Sequence, residues 1–234
     1  EMNVEFTVAA KQDDSDFMLW PGDGSFDGSS AWVYDGWIMD ADSGVLVGTL
    51  QVKTAKAKSS TGTFSVKATV KDGNAKSWNY KNRVGGADSG IVTGLSCSTK
   101  GVPVKSFDVT LGKNGMSGKW GGFEIVGARN GMGTSTDAMK RALDELYKRS
   151  WTVVFTNGFG KTRLVVAVGS KGATTITGTI AANYTAKGKV QAVMGHDAIY
   201  IPYLANVKRG TDVFQANMLL KIPGGEGGLF EVCN

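Results

Sequence analysis

Apolar positions along most of this chain alternate with polar ones. Residues 2–8 read Met-Asn-Val-Glu-Phe-Thr-Val, placing Met2, Val4, Phe6 and Val8 on one side and polar residues on the other. A strict period of two predicts a half-buried strand. Residues 11–28 are acidic and turn-rich and read as a loop. Strand patterns resume at 31–34 and 36–39 and continue at 45–52, 63–70, 77–81, 91–96, 104–111, 115–120 and 123–126. Asp72-Gly73-Asn74, Lys100-Gly101 and Lys113-Asn114-Gly115 separate them. Asn-Gly and Asp-Gly supply the positive φ that tight hairpins need, so neighbouring strands are expected to be antiparallel and joined in sequence order.

One segment keeps a different period. Thr134, Ser135 or Thr136 can cap a helix whose first turn holds Asp137, and Ala138, Met139, Ala142, Leu143, Leu146 and Tyr147 recur at three-to-four spacing. This predicts an amphipathic helix whose apolar stripe packs on the β structure. Strand patterns then restart at 151–155, 163–168, 174–181, 188–193, 198–205, 213–222 and 229–232.

The second run of strands echoes the first. Thr61-Gly62-Thr63 matches Thr177-Gly178-Thr179, and Leu50 and Val52 fall on Val166 and Val168. Lys100-Gly101 matches Arg209-Gly210, and Gly121-Gly122-Phe123 matches Gly227-Gly228-Leu229, with order preserved. A repeat this long is a duplicated supersecondary unit, since solenoid periods are roughly 20 to 50 residues. The expected fold is all-β: a duplicated antiparallel β-meander forming a pseudo-symmetric barrel or sandwich, or two adjacent small barrels, with one amphipathic helix between the halves. The implied divisions are 1–30, an N-terminal strand and acidic loop; 31–133, a first β unit; 134–150, a linking helix; and 151–234, a second β unit.

The string Val45-Leu46-Val47-Gly48-Thr49-Leu50-Gln51-Val52-Lys53 and the later Ile176-Thr177-Gly178-Thr179-Ile180, Met194-Gly195 and Ile201-Pro202 resemble β-repeat regions of very large secreted or surface proteins of anaerobic gut and rumen-type bacteria. The resemblance spans most of 31–234 and rests on Gly/Thr strand motifs of low specificity. It implies an extracellular or cell-surface setting and a modular, non-catalytic role.

Composition agrees with a turn-rich β chain: Gly numbers 33 and Pro only 4 in 234 residues, about twice the usual Gly share of roughly 7%. The net charge of +5 comes mainly from lysines. Lys53, Lys56, Lys58 and Lys67 sit at alternating positions, as on a strand's solvent face or a protected sheet edge. A surface for acidic polymers such as nucleic acid or uronate-bearing polysaccharide is the second reading, and no aromatic-interleaved basic motif points to nucleic acid as partner. No stretch approaches the roughly 20 apolar residues of a membrane helix. Two cysteines, Cys97 and Cys233, either pair with each other or stay buried as small apolar residues.

Catalytic chemistry has little to work with. The single histidine, His196, reads as a hairpin-tip residue, and no nucleophile-elbow pattern accompanies it. Asp23, Asp27, Asp35, Asp40 and Asp42 are candidate carboxylates for glycoside chemistry, and their pairing is not given by sequence. Asp40-Ala41-Asp42-Ser43-Gly44 alternates carboxylates before a glycine, making Ca2+ the one metal with candidate ligands; ordinary Asp-Gly turns also explain it, and no other cofactor is expected. Trp20, Trp32, Tyr34 and Trp37 cluster within 18 residues. They are either an aromatic platform for stacking sugar rings or part of a core. The expectation is a non-enzymatic structural or adhesive module. Its partners are polysaccharide, or copies of itself added through the strand at 2–8.

Overall fold

The computed structural model describes residues 26–130, apart from 60, 75 and 87–88, and 150–233, apart from 158–159, 170–171, 182–183, 196–197 and 224–230. The strand predicted at 2–8, the helix predicted at 134–149, Trp20, Asp23 and His196 lie outside these residues. The described chain is all-β, contains no helix, and divides into two compact units.

The first unit contains β1 (Val33–Met39), β2 (Leu46–Thr54), β3 (Phe64–Asp72), β4 (Ser77–Val84), β5 (Ile91–Ser96), β6 (Ser106–Leu111), β7 (Gly115–Trp120) and β8 (Phe123–Arg129). Each pairs with the next, and β1 pairs antiparallel with β8 to close a barrel. The alternation read from sequence becomes inside and outside: in β3, Phe64, Val66, Ala68 and Val70 are buried while Ser65, Lys67 and Thr69 are exposed. The β3–β4 turn is built by Asp72, whose Oδ1 accepts the amides of Asn74 (3.0 Å) and Lys76 (2.9 Å) while Oδ2 accepts the indole N–H of Trp78 (2.8 Å). Register slips between β5 and β6 at Val92/Leu95, where Gly94 takes φ +64° and its amide donates to Asp108 Oδ1 at 2.7 Å. Asp108 thus satisfies a donor that the bulge removes from the ladder.

Side chains fill the barrel, as an eight-stranded closure allows. Tyr80 stands edge-on to Phe107 at 4.8 Å; its hydroxyl donates to Val104 O (2.7 Å) and accepts from Trp120 Nε1 (3.0 Å). Tyr34 reaches across to donate to Gly112 O at 2.7 Å. Each large ring thereby buries its apolar area without orphaning its polar tip.

The second unit contains β9 (Ser150–Asn157), β10 (Gly160–Val168), β11 (Ala173–Ile180), β12 (Tyr184–Gln191), β13 (Val193–Met194), β14 (Ala198–Arg209), β15 (Asp212–Pro223) and β16 (Glu231–Cys233). It is an antiparallel sheet in the order β16-β15-β14-β12-β11-β10-β9, with β13 paired to β14. Val153, Leu164, Val166, Ile176, Ile201 and Leu220 are among its fully buried residues. The sequence matches do not all fall at like places. Gly62 lies in the turn before β3 with φ +61°, whereas Gly178 lies inside β11. Lys100-Gly101 lies between the paired strands β5 and β6, and Arg209-Gly210 at the end of β14 and its turn into the paired β15.

Candidate functional site

The described rings of the aromatic cluster do not form an open row. Tyr34 is 1% exposed and Trp37 0%, so neither offers a face to a sugar. The reason is that β1 is buried on both sides: Tyr34 and Ile38 point into the barrel core, while Trp37 and Met39 are buried on the opposite side. Trp32 remains half-buried, donates its indole N–H to Asp27 O (2.6 Å), and is covered by the Arg129 guanidinium 4.1 Å from its ring centroid. Alternation in sequence identifies rings that share a face, but it does not say whether that face is covered.

The candidate metal carboxylates serve their own loop. Asp40 Oδ1 accepts the amides of Asp42 and Ser43, both at 3.0 Å, and these bonds, led by Ser43, hold its carboxyl below the ordinary range. Asp42 is exposed. Asp27 does the same with Ser29, taking its hydroxyl (2.6 Å) and its amide (2.8 Å), which in that order lower its pKa. Turn chemistry accounts for these residues. Among the described residues no group of three or more His, Cys, Asp or Glu is placed to hold a metal ion. Cys97 is a free, buried thiol, and the Cys233 side chain lies outside the described residues.

Asp35 differs from the other carboxylates. It is 4% exposed, accepting from Gln51 Nε2 (2.7 Å) and Asn130 Nδ2 (2.8 Å). Burial pushes its carboxyl above the ordinary value; the two amide bonds and the charge of Lys53 oppose that rise. Asp35 thereby ties β1 to β2 and to the residue following β8, beside the barrel seam.

Gln51 leads outward from Asp35 onto the exposed wall of β2, β3 and β4, where two polar rows run across the strands. In one, Lys53 lies opposite Lys67 and Lys67 opposite Lys81. In the next, Gln51 lies opposite Thr69 and Thr69 opposite Asn79, with Thr69 Oγ1 donating to Asn79 Oδ1 at 3.0 Å. The rows line an open groove of about 360 Å³. All three lysines are exposed, and Arg83 extends the basic wall by one more position on β4. Adjacent strands lie about 4.8 Å apart. Three ammonium groups are therefore anchored in register with that spacing, although like charges directly opposite one another cost stability.

Sequence reading singled out Lys53 and Lys67 but missed Lys81, Gln51, Thr69 and Asn79. Part of the signal was there, because reflection of β3 onto β4 about Asn74 places Lys67 opposite Lys81. The β2–β3 connection is longer, and its register has no such local marker. No protein-family model matches this chain, and no curated protein or solved structure is significantly similar to it.

Proposed function

We propose that this chain is a non-catalytic extracellular or cell-surface module with a structural or adhesive role, acting through the outer wall of its barrel. One observation carries this reading: the barrel interior is filled by side chains, while the wall of β2, β3 and β4 aligns exposed lysines and amides in register. A filled barrel offers recognition chemistry only on its walls and loops. Asp27, Asp35 and Asp40 add to the reading, each engaged by neighbouring N–H or O–H groups. The likeness to surface-protein repeats supports the setting. The order-preserved matches support descent of both units from one β-meander, with 134–150 as the linking helix. Self-assembly by strand addition through residues 2–8 is a further part of the proposal.

Two measurements test it together. Co-sedimentation with insoluble plant and host polysaccharides is expected to show retention on at least one polymer without release of reducing ends. Native mass before and after deletion of residues 1–10 reports self-assembly. Release of reducing sugar overturns the non-catalytic reading. A monomer that sediments with no polymer overturns the adhesive one.

A further inference from the structure

We infer that the Lys53–Lys67–Lys81 row and the adjoining Gln51–Thr69–Asn79 row form a binding site for an acidic polysaccharide, lying across β2, β3 and β4. The inference rests on the adhesive reading above and names the polymer class and residues.

The first argument is electrostatic. Lys67 has a lysine directly opposite on both neighbouring strands, and Lys53 also feels the charge of the buried Asp35 carboxyl. At 0.1 M salt the screening length is about 10 Å, roughly twice the strand spacing, so these ammonium groups repel one another. A polyanion that places an acidic group near each lysine removes that repulsion and releases its own counterions. Because the three charges are anchored on three strands, they favour a chain crossing the strands with regularly repeated acidic groups.

The second argument separates a sugar polymer from other polyanions. Beside the lysines stand a hydroxyl and two carboxamides. With Gln51 Nε2 donating to Asp35 and the Thr69 hydroxyl to Asn79 Oδ1, Asn79 Nδ2 is left to donate to sugar hydroxyls, and Gln51 Oε1 and the Thr69 oxygen to accept from them. No exposed aromatic ring lines the groove: Tyr80 is 1% exposed, and its hydroxyl is committed to Val104 O and Trp120 Nε1 inside the barrel. Single-stranded nucleic acid gains much of its affinity by stacking bases on such rings, and acidic peptides have no array of hydroxyls to engage the second row. A uronate polymer, with a carboxylate and free hydroxyls on each sugar, matches both rows.

Affinity electrophoresis of the full chain through gels containing polygalacturonate, neutral galactan, poly-dT or poly-L-glutamate tests the assignment. Expected is retardation by polygalacturonate, none by galactan, and weaker retardation by poly-dT and polyglutamate. Lys67→Glu is expected to weaken polygalacturonate binding at least tenfold. Thr69→Ala combined with Asn79→Ala weakens it several-fold and leaves polyglutamate retention unchanged. An unshifted melting temperature in the double variant, and one unshifted or raised in Lys67→Glu, shows that the fold is intact, and Lys67→Gln provides a milder second variant. Equal retardation by poly-dT or polyglutamate overturns the polysaccharide assignment in favour of a general cationic wall. Full retention by the Lys67 variants overturns the location. Absence of polygalacturonate binding alongside sedimentation with another polymer ends this inference and leaves the adhesive reading standing.

Discussion

Gly36 and Gly127 face each other across the seam where β1 meets β8 and the first barrel closes. A Cβ on Gly36 would sit 2.3 Å from Val126 O and 2.9 Å from Gly127 Cα. A Cβ on Gly127 would meet Met116 Cε at 2.5 Å and Asp35 O at 2.8 Å. The strands approach this closely because neither residue carries a side chain.

Alanine at either position is therefore expected to destabilise the barrel. Gly36→Ala meets backbone, which cannot swing away, and should cost about 3 kcal/mol; Gly127→Ala first meets the flexible tip of Met116 and should cost about 2 kcal/mol. Urea unfolding checks both the size and the order. Two neutral substitutions would show that the seam is looser than these distances imply.

Two buried tyrosines should respond in opposite ways to loss of the hydroxyl. Tyr80→Phe strands Val104 O and the Trp120 indole N–H, an expected loss of about 1–3 kcal/mol. The Tyr203 hydroxyl is buried with no hydrogen-bond partner among the described residues, and burial pushes its pKa up to about 12. Tyr203→Phe should be neutral or stabilise by about 1 kcal/mol. Because the folded pKa is raised, Tyr203 contributes stability that is complete below about pH 10 and lost as pH rises toward 12. The variant should lack that part of the alkaline loss, as read by melting temperature against pH.

Asp35 gives a second pH signature. Its folded pKa lies above the ordinary 3.8, so its contribution to stability is complete below that value and drains as pH rises through the folded pKa. Asp27 and Asp40 are shifted downward, so they weaken the protein as pH falls. Subtracting the Asp35→Asn melting curve from the wild-type curve isolates Asp35. That difference should decline as pH rises above the ordinary 3.8, and a flat difference would count against a perturbed carboxyl.

Lysine repulsion on the outer wall predicts a gain from charge reversal. Lys67→Glu replaces two opposed like charges with two cross-strand attractions and should stabilise by roughly 1 kcal/mol at low salt. The gain should shrink in 1 M salt, where the screening length falls to about 3 Å. Thermal melts at two salt concentrations test this, and no gain at low salt would mean the ammonium groups splay far enough apart to avoid one another.

The strand assignments were legible because they depend on local chemistry. Alternation in residues 63–70 and turn residues such as Asp72 and Gly73 act within a few positions of themselves, and β5 and β7 run over the predicted residues, 91–96 and 115–120. A barrel was among the expected folds, but the closing pair of strands was not legible, because Gly36 and Gly127 are distant in sequence and a period of two does not name a strand's neighbour. The same limit applied to the candidate site. Trp32, Tyr34 and Trp37 stood out by composition, but burial on both sides of β1 removed Tyr34 and Trp37 from the surface. Lys53 and Lys67 looked like ordinary solvent-face residues until register set them in line with Lys81. The sequence by itself determined where most strands lie and, for strands with one solvent face such as β3, which side is apolar, since both follow from local periodicity. Only the tertiary structure decided which strands adjoin and which polar residues line up, because register and closure arise from pairing between distant segments.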